Sequence, residues 1–155
     1  MDIKDFLAPS QVMVEFGASD KTRLLDELAG RAAAALGIER KVISSALTKR
    51  EELGSTGTGG GVALPHARLP EVKTPFAMLV RLRKAIDYDA VDDKPVDVVC
   101  LVLLPQESQG VQLNALACAA RALRDSEVLR NLRRAESGAA AYRALSATKQ
   151  KTQSS

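Results

Sequence analysis

Val12, Val14 and Phe16 alternate with polar residues apart from Met13, and this two-residue period predicts a short strand ending at Gly17. The period then lengthens. Leu24, Leu25, Leu28, Ala32, Ala35 and Leu36 recur at three and four positions, predicting a helix capped by Ser19 or Asp20 and stopped at Gly37. Val42, Ile43, Ala46 and Leu47 predict a second helix from about Glu39 to before Gly54. After Pro75, alternation returns at Phe76, Met78, Val80 and Leu82, and residues 98–104 are apolar without a break, as in a central strand covered on both faces. Ser108 is the expected cap of a helix carrying Leu113, Leu116, Ala117, Ala120 and Leu123 on one side. Ser126 is the expected cap of another, carrying Val128, Leu129 and Leu132. A last helix includes Tyr142 and Leu145. Helices on both sides of a block of strands imply an α/β layered domain with a small helix-covered sheet.

Composition narrows the class. With 155 residues, 46% apolar and 26% charged, the chain suits one core and can bury roughly 70% of its extended surface. Its longest apolar run is seven residues, 98–104, against about 20 for a membrane span, so no membrane insertion is expected. The opening MDIKDFLAPS places Asp2 and Asp5 where a secretory signal carries basic residues, and a cytoplasmic location follows as the expectation. Cys100 and Cys118 read as small buried hydrophobes. With a single histidine they cannot build a zinc site, and no metal or cofactor is expected. The net charge of +3 divides into +5 over residues 121–155 and −2 elsewhere. That basic end invites nucleic acid, but the scattered Phe and Tyr offer no stacking platform, so a solvated face is preferred and no nucleic-acid partner is expected.

Residues 54–61, GSTGTGGG, hold five of the ten glycines and are predicted as a loop able to turn several amides inward as an anion-binding nest. The spacing fits neither a Walker loop nor a dinucleotide fingerprint nor a serine-hydrolase elbow. His66 follows, with Arg50 upstream and Arg68 downstream. A neutral imidazole is a nucleophile near pH 7, and a phosphoryl group passed to it needs in-line placement and donors for spread negative charge. Composition leaves equal room for a structural histidine at a strand end beside a flexible connection.

The stretch 50–66, REELGSTGTGGGVALPH, closely resembles the active-site signature of phosphotransferase-system enzyme IIA domains of the mannitol/fructose type, in particular the nitrogen-regulatory branch. A second stretch, 88–97, YDAVDDKPVD, is similar to the loop before that family's central strand. The resemblance implies a mannitol-type EIIA domain over 1–147, with a mixed sheet covered on both faces by helices and a frayed tail over 148–155. It implies His66 as phosphoryl acceptor from an HPr-like phosphocarrier charged through enzyme I, and Arg50 as phosphate clamp. Ser55, Thr56, Gly57, Gly59, Gly61 and Arg68 match the phosphate-binding surroundings. Two positions depart from the pattern. Gln112 stands where the family has a second histidine, and it can donate a hydrogen bond but not add charge. Ala67 stands where the nitrogen-regulatory branch commonly has glycine. The expected function is a phosphohistidine carrier whose phosphorylation state regulates unidentified partner proteins. A sugar-specific EIIA serving a separate EIIB and a phosphorylation-independent binding module are the alternatives.

Overall fold

The computed structural model describes residues 1–107 and 109–145, without the side chains of 109 and 111–113. The expected cap Ser108, the side chains of Gln112 and Leu113 and the 148–155 tail lie outside the described residues. After two short 3-10 turns come β1 (Val12–Phe16), α1 (Lys21–Leu36), α2 (Arg40–Glu52), β2 (Gly57–Gly59), β3 (Val62–Ala63), β4 (His66–Leu69), β5 (Phe76–Ile86), β6 (Val96–Pro105), α3 (Gln109–Ala122) and α4 (Ser126–Arg134). Residues 138–145 are again helical.

The continuous apolar run becomes β6, at the middle of a mixed sheet ordered β1-β5-β6-β3-β2, with β4 also on β6. β5 runs antiparallel to β6 while β3 and β4 run parallel to it. Side-chain alternation sends Val98, Cys100, Val102 and Leu104 to one core and Val99, Leu101 and Leu103 to the other. The first core is closed by α3, α4, 138–145 and the N-terminal turns through Cys118, Leu123, Leu132, Leu145 and Leu7. The second is closed by α1 and α2 through Leu24, Leu28, Ile43 and Leu47. Both faces of the sheet are therefore covered.

Several elements differ in detail from their sequence pattern. Val12 and Val14 pack in the first core, but Phe16 packs in the second, because Glu15 at φ +55° forms a bulge that breaks the alternation. The bulge delivers the Glu15 carboxylate to Arg81, 3.1 Å away. Asp20 rather than Ser19 caps α1, accepting from the Arg23 amide at 2.8 Å, and Gly37 ends it at φ +68°. Ala35 is exposed, and Ala29 takes its place in the stripe. In α3 and just after it, Ala115, Cys118, Ala119 and Leu123 are buried and the expected Leu116 and Ala120 pack half-buried beside them, while Ala117 is exposed. Asp125 caps α4, and Ser126 is its first helical residue. The glycine-rich segment is a small hairpin of β2 and β3 rather than an open loop.

Leu101 is fully buried between β6 and the α1–α2 layer. Leu101→Ala is expected to cost about 2–5 kcal/mol, seen as a lower urea midpoint with an unchanged slope.

Candidate active site

β3 and β4 are two pieces of one path along β6, interrupted at Leu64 and Pro65. Pro65 has no amide to give, but its carbonyl accepts from Val102 N at 2.9 Å, so the chain stays attached to β6 through the break. His66 opens β4. Ala67 and Leu69 pack in the core under α1 and α2, so His66 and Arg68 share the opposite face of the strand.

The ring is held at both nitrogens. Nδ1 lies 2.9 Å from the Leu64 carbonyl, which can only accept, so Nδ1 carries the proton. Nε2 then holds a lone pair and accepts from Arg50 Nε–H at 3.3 Å. Arg50 comes from the last turn of α2, where Nη1 also donates to the Gly54 carbonyl at 2.9 Å. Burial, followed by the charges of Arg50 and Arg68, pulls the His66 pKa below 6.5 against the opposing Leu64 hydrogen bond and the Glu51 charge. At neutral pH the half-buried ring is an uncharged nucleophile.

His66, Arg50 and Arg68 line one cleft of about 500 Å³, with Leu104 and Leu116 on its apolar side. Lys49 lines it too, a residue the sequence pattern did not single out although it neighbours Arg50 in the final turn of α2. Cations at a helix C-terminus are favoured by its dipole, and here they also face the ring.

The remaining residues expected around a phosphoryl group lie apart from this cleft or are already engaged. The Gly57 amide donates to Ser55 Oγ at 3.1 Å, and the Gly60 amide donates to Asp92 Oδ2 at 3.1 Å. Gly59 pairs with Val62, and the Gly61 carbonyl accepts from the amides of Asp97 and Val98. The nest of free amides is thus replaced by a hairpin whose tip borders a separate cavity beside Leu123 and Arg124. Gly57 is required by crowding: a Cβ there would sit 2.8 Å from Ala90 Cα. Ser55 Oγ donates to the Tyr88 carbonyl at 3.1 Å, and Thr56 Oγ1 donates to Glu51. Gln112 belongs to α3, its side chain outside the described residues.

Glu51, Lys21 and Tyr88 form a buried polar cluster behind the site that the sequence pattern missed. Lys21 Nζ is 3.0 Å from Glu51 Oε1 and 4.6 Å over the Tyr88 ring. Burial and the Glu51 charge push the Tyr88 hydroxyl well above its ordinary range. The available signal was only that Glu51 and Tyr88 fall inside the two stretches quoted for the resemblance. Among the described residues, no group of His, Cys, Asp and Glu could hold a metal ion, and no helix is long and apolar enough to cross a membrane.

Residues 5–148 match the family model described as phosphoenolpyruvate-dependent sugar phosphotransferase system, EIIA 2. The chain belongs to this EIIA family. Within the family, a nitrogen regulatory protein of Bradyrhizobium diazoefficiens is 37% identical over 145 residues, covering 94% of this chain and 95% of that protein. A nitrogen regulatory protein of Escherichia coli is 34% identical over 129 residues, covering 83% and 79%. The crystal structure of nitrogen regulatory protein IIA-Ntr from Neisseria meningitidis superposes with a TM-score of 0.86 at 29% identity, covering 92% of this chain and 98% of that one. Membership in this EIIA family supports a phosphocarrier role in a phosphotransferase system.

Because His66 is the single histidine, one imidazole resonance reports the site. In an NMR titration it is expected to titrate below 6.5, and Arg50→Gln to move it upward by removing a neighbouring positive charge. The depressed pKa also fixes a sign for stability: as pH falls through 6.5 the unfolded chain binds the proton first, so the fold loses stability towards acid. His66→Gln is expected to flatten the stability curve between pH 7 and 5. Gly57→Ala is expected to cost about 1–3 kcal/mol in a thermal or urea melt, since backbone rather than a side-chain tip stands in the way.

Proposed function

We propose that this EIIA protein is a phosphohistidine carrier of the nitrogen-regulatory phosphotransferase system, with Nε2 of His66 as the acceptor atom. The observation that carries the reading is the pairing of a fixed Nδ1–H with an Nε2 lone pair facing a cationic cleft. The donor is an HPr-like carrier whose own phosphohistidine supplies the group. In the step, the donor's N–P bond breaks and its electron pair returns to the donor ring, while the Nε2 lone pair forms the new N–P bond. His66 keeps its Nδ1 proton, and the Leu64 carbonyl stabilises the positive charge that the ring acquires. Arg50, with Lys49 and Arg68 nearby, offsets the charge on the transferring oxygens. Gln112, standing where the resemblance puts a second histidine, adds no charge of its own.

The regulatory branch is favoured by relatives named nitrogen regulatory proteins across nearly the whole chain. A phosphoryl group adds roughly −1.5 to −2 charges at neutral pH. The positive charge of the cleft rim formed by Lys49, Arg50 and Arg68 is then offset in part, which selects different protein partners without a change of fold.

Incubation with enzyme I, phosphoenolpyruvate and an HPr-like carrier, followed by intact-mass analysis, tests this. Wild type is expected to gain one acid-labile phosphoryl group and His66→Ala none. Arg50→Gln should slow uptake by about 10²-fold, and Gln112→His should lengthen the adduct's lifetime. Absence of the adduct in wild type, or its persistence in His66→Ala, defeats the proposal.

A further inference from the structure

The Leu64 carbonyl that fixes the His66 tautomer belongs to a longer chain of contacts. The amide of the same residue, Leu64 N, donates to the Thr56 carbonyl at 2.9 Å. Thr56 N in turn donates to Glu51 Oε1 at 3.1 Å, and its hydroxyl donates to Glu51 Oε2. Glu51 is the sequence neighbour of Arg50, which approaches the ring from its other nitrogen. One carboxylate is therefore bonded to the segment that reaches Nδ1 and sits beside the residue that reaches Nε2.

Burial shows how firmly it is held. The Glu51 side chain is 7% exposed, and a carboxylate taken out of water must be paired and hydrogen-bonded to be tolerated. Lys21 of α1 supplies the charge at 3.0 Å, and the Tyr88 hydroxyl donates to Oε2 at 3.3 Å. Tyr88 itself is fully buried, and its hydroxyl lies 3.0 Å from Thr56 Oγ1. Contacts from α1, the segment after α2 and the segment after β5 thus converge on one side chain at the end of α2. No part of this cluster touches the cleft, so it cannot act on a substrate directly.

We propose that Glu51 is the positioning residue of the site: its contacts with Thr56 hold Leu64 against Nδ1, and its anchorage of the last α2 turn presents Arg50 to Nε2. The inference rests on His66 being the phosphoryl acceptor. A mere structural weld predicts only a lower melting temperature when Glu51 is lost. A positioning residue predicts a ring that no longer keeps one tautomer and a transfer step that slows without weaker donor binding, because small misplacements of reacting groups are costly.

The experiment measures imidazole ¹⁵N shifts of His66 together with phosphoryl uptake from the HPr-like carrier in wild type, Glu51→Ala, Glu51→Gln and Glu51→Asp. Wild type is expected to show the Nδ1–H tautomer alone. Glu51→Ala should mix the tautomers and lower the uptake kcat roughly 10- to 100-fold at unchanged donor KM. Glu51→Gln keeps an acceptor for the Thr56 amide and should recover the single tautomer and most of the rate. If the alanine protein does not fold, Glu51→Asp carries the test: it keeps the charge for Lys21 but withdraws the oxygens from Thr56, and mixed tautomers are expected. A folded Ala or Asp variant with one tautomer and wild-type uptake overturns the proposal, and a Gln variant that behaves like Ala overturns the hydrogen-bonded route. Should wild type accept no phosphoryl group, the carrier reading fails by itself, and the tautomer measurement still decides the role of Glu51.

Discussion

Everything near His66 depends on β6 being hydrogen-bonded along both of its edges. β5 occupies one edge, and the broken path of β3 and β4 occupies the other. A strand buried on both faces and paired on both sides has nowhere to shift, since sliding by one residue would exchange its two sets of core side chains. That rigidity passes to β4 through Pro65 and the backbone pairing of His66 with Val102. The imidazole is thus mounted on a strand paired directly with the central one, while the guanidinium facing it is carried by a helix end.

The electrostatic arrangement uses two sides of the same strand path. In front of the ring, Lys49, Arg50 and Arg68 keep the cleft positive, and burial together with the charges of Arg50 and Arg68 favours the neutral imidazole. Behind it, the negative charge of Glu51 is enclosed with Lys21, Thr56 and Tyr88. Burial alone would already lower the ring's basicity; the Leu64 carbonyl adds direction by leaving the lone pair on Nε2. Position and protonation are set by the same few contacts.

Long periodic elements were legible in the sequence, and the reasons for the misses are local. β6 announced itself because seven consecutive apolar residues need cover on two faces. The β1 bulge was hidden, since nothing in VMVEF marks Glu15 for a left-handed conformation, and the carboxylate turns towards Arg81 and Arg83, far along the chain. In α3 and just after it, Leu116, Ala120 and Leu123 do face the core, but Ala117 was wrongly placed there because alanine at 115, 117, 119, 120 and 122 gives little contrast around the helix. The three-residue β2 and two-residue β3 are too short to show a period, so glycine density suggested a loop. His66, Arg50 and Arg68 were close enough in sequence to be read as one group. Lys21, Glu51 and Tyr88 were not, because they come from segments far apart in sequence and only folding brings them together beside Thr56.

The hydrogen bond from Arg50 Nε to the ring nitrogen gives the resting site one last property. Any incoming electrophile must displace that N–H before it can reach the lone pair. At 3.3 Å the contact is near the long end of the range, so giving it up costs little. Arg50 has a second grip, on the Gly54 carbonyl at 2.9 Å. One guanidinium therefore both covers the ring's lone pair and ties itself to the end of its own helix.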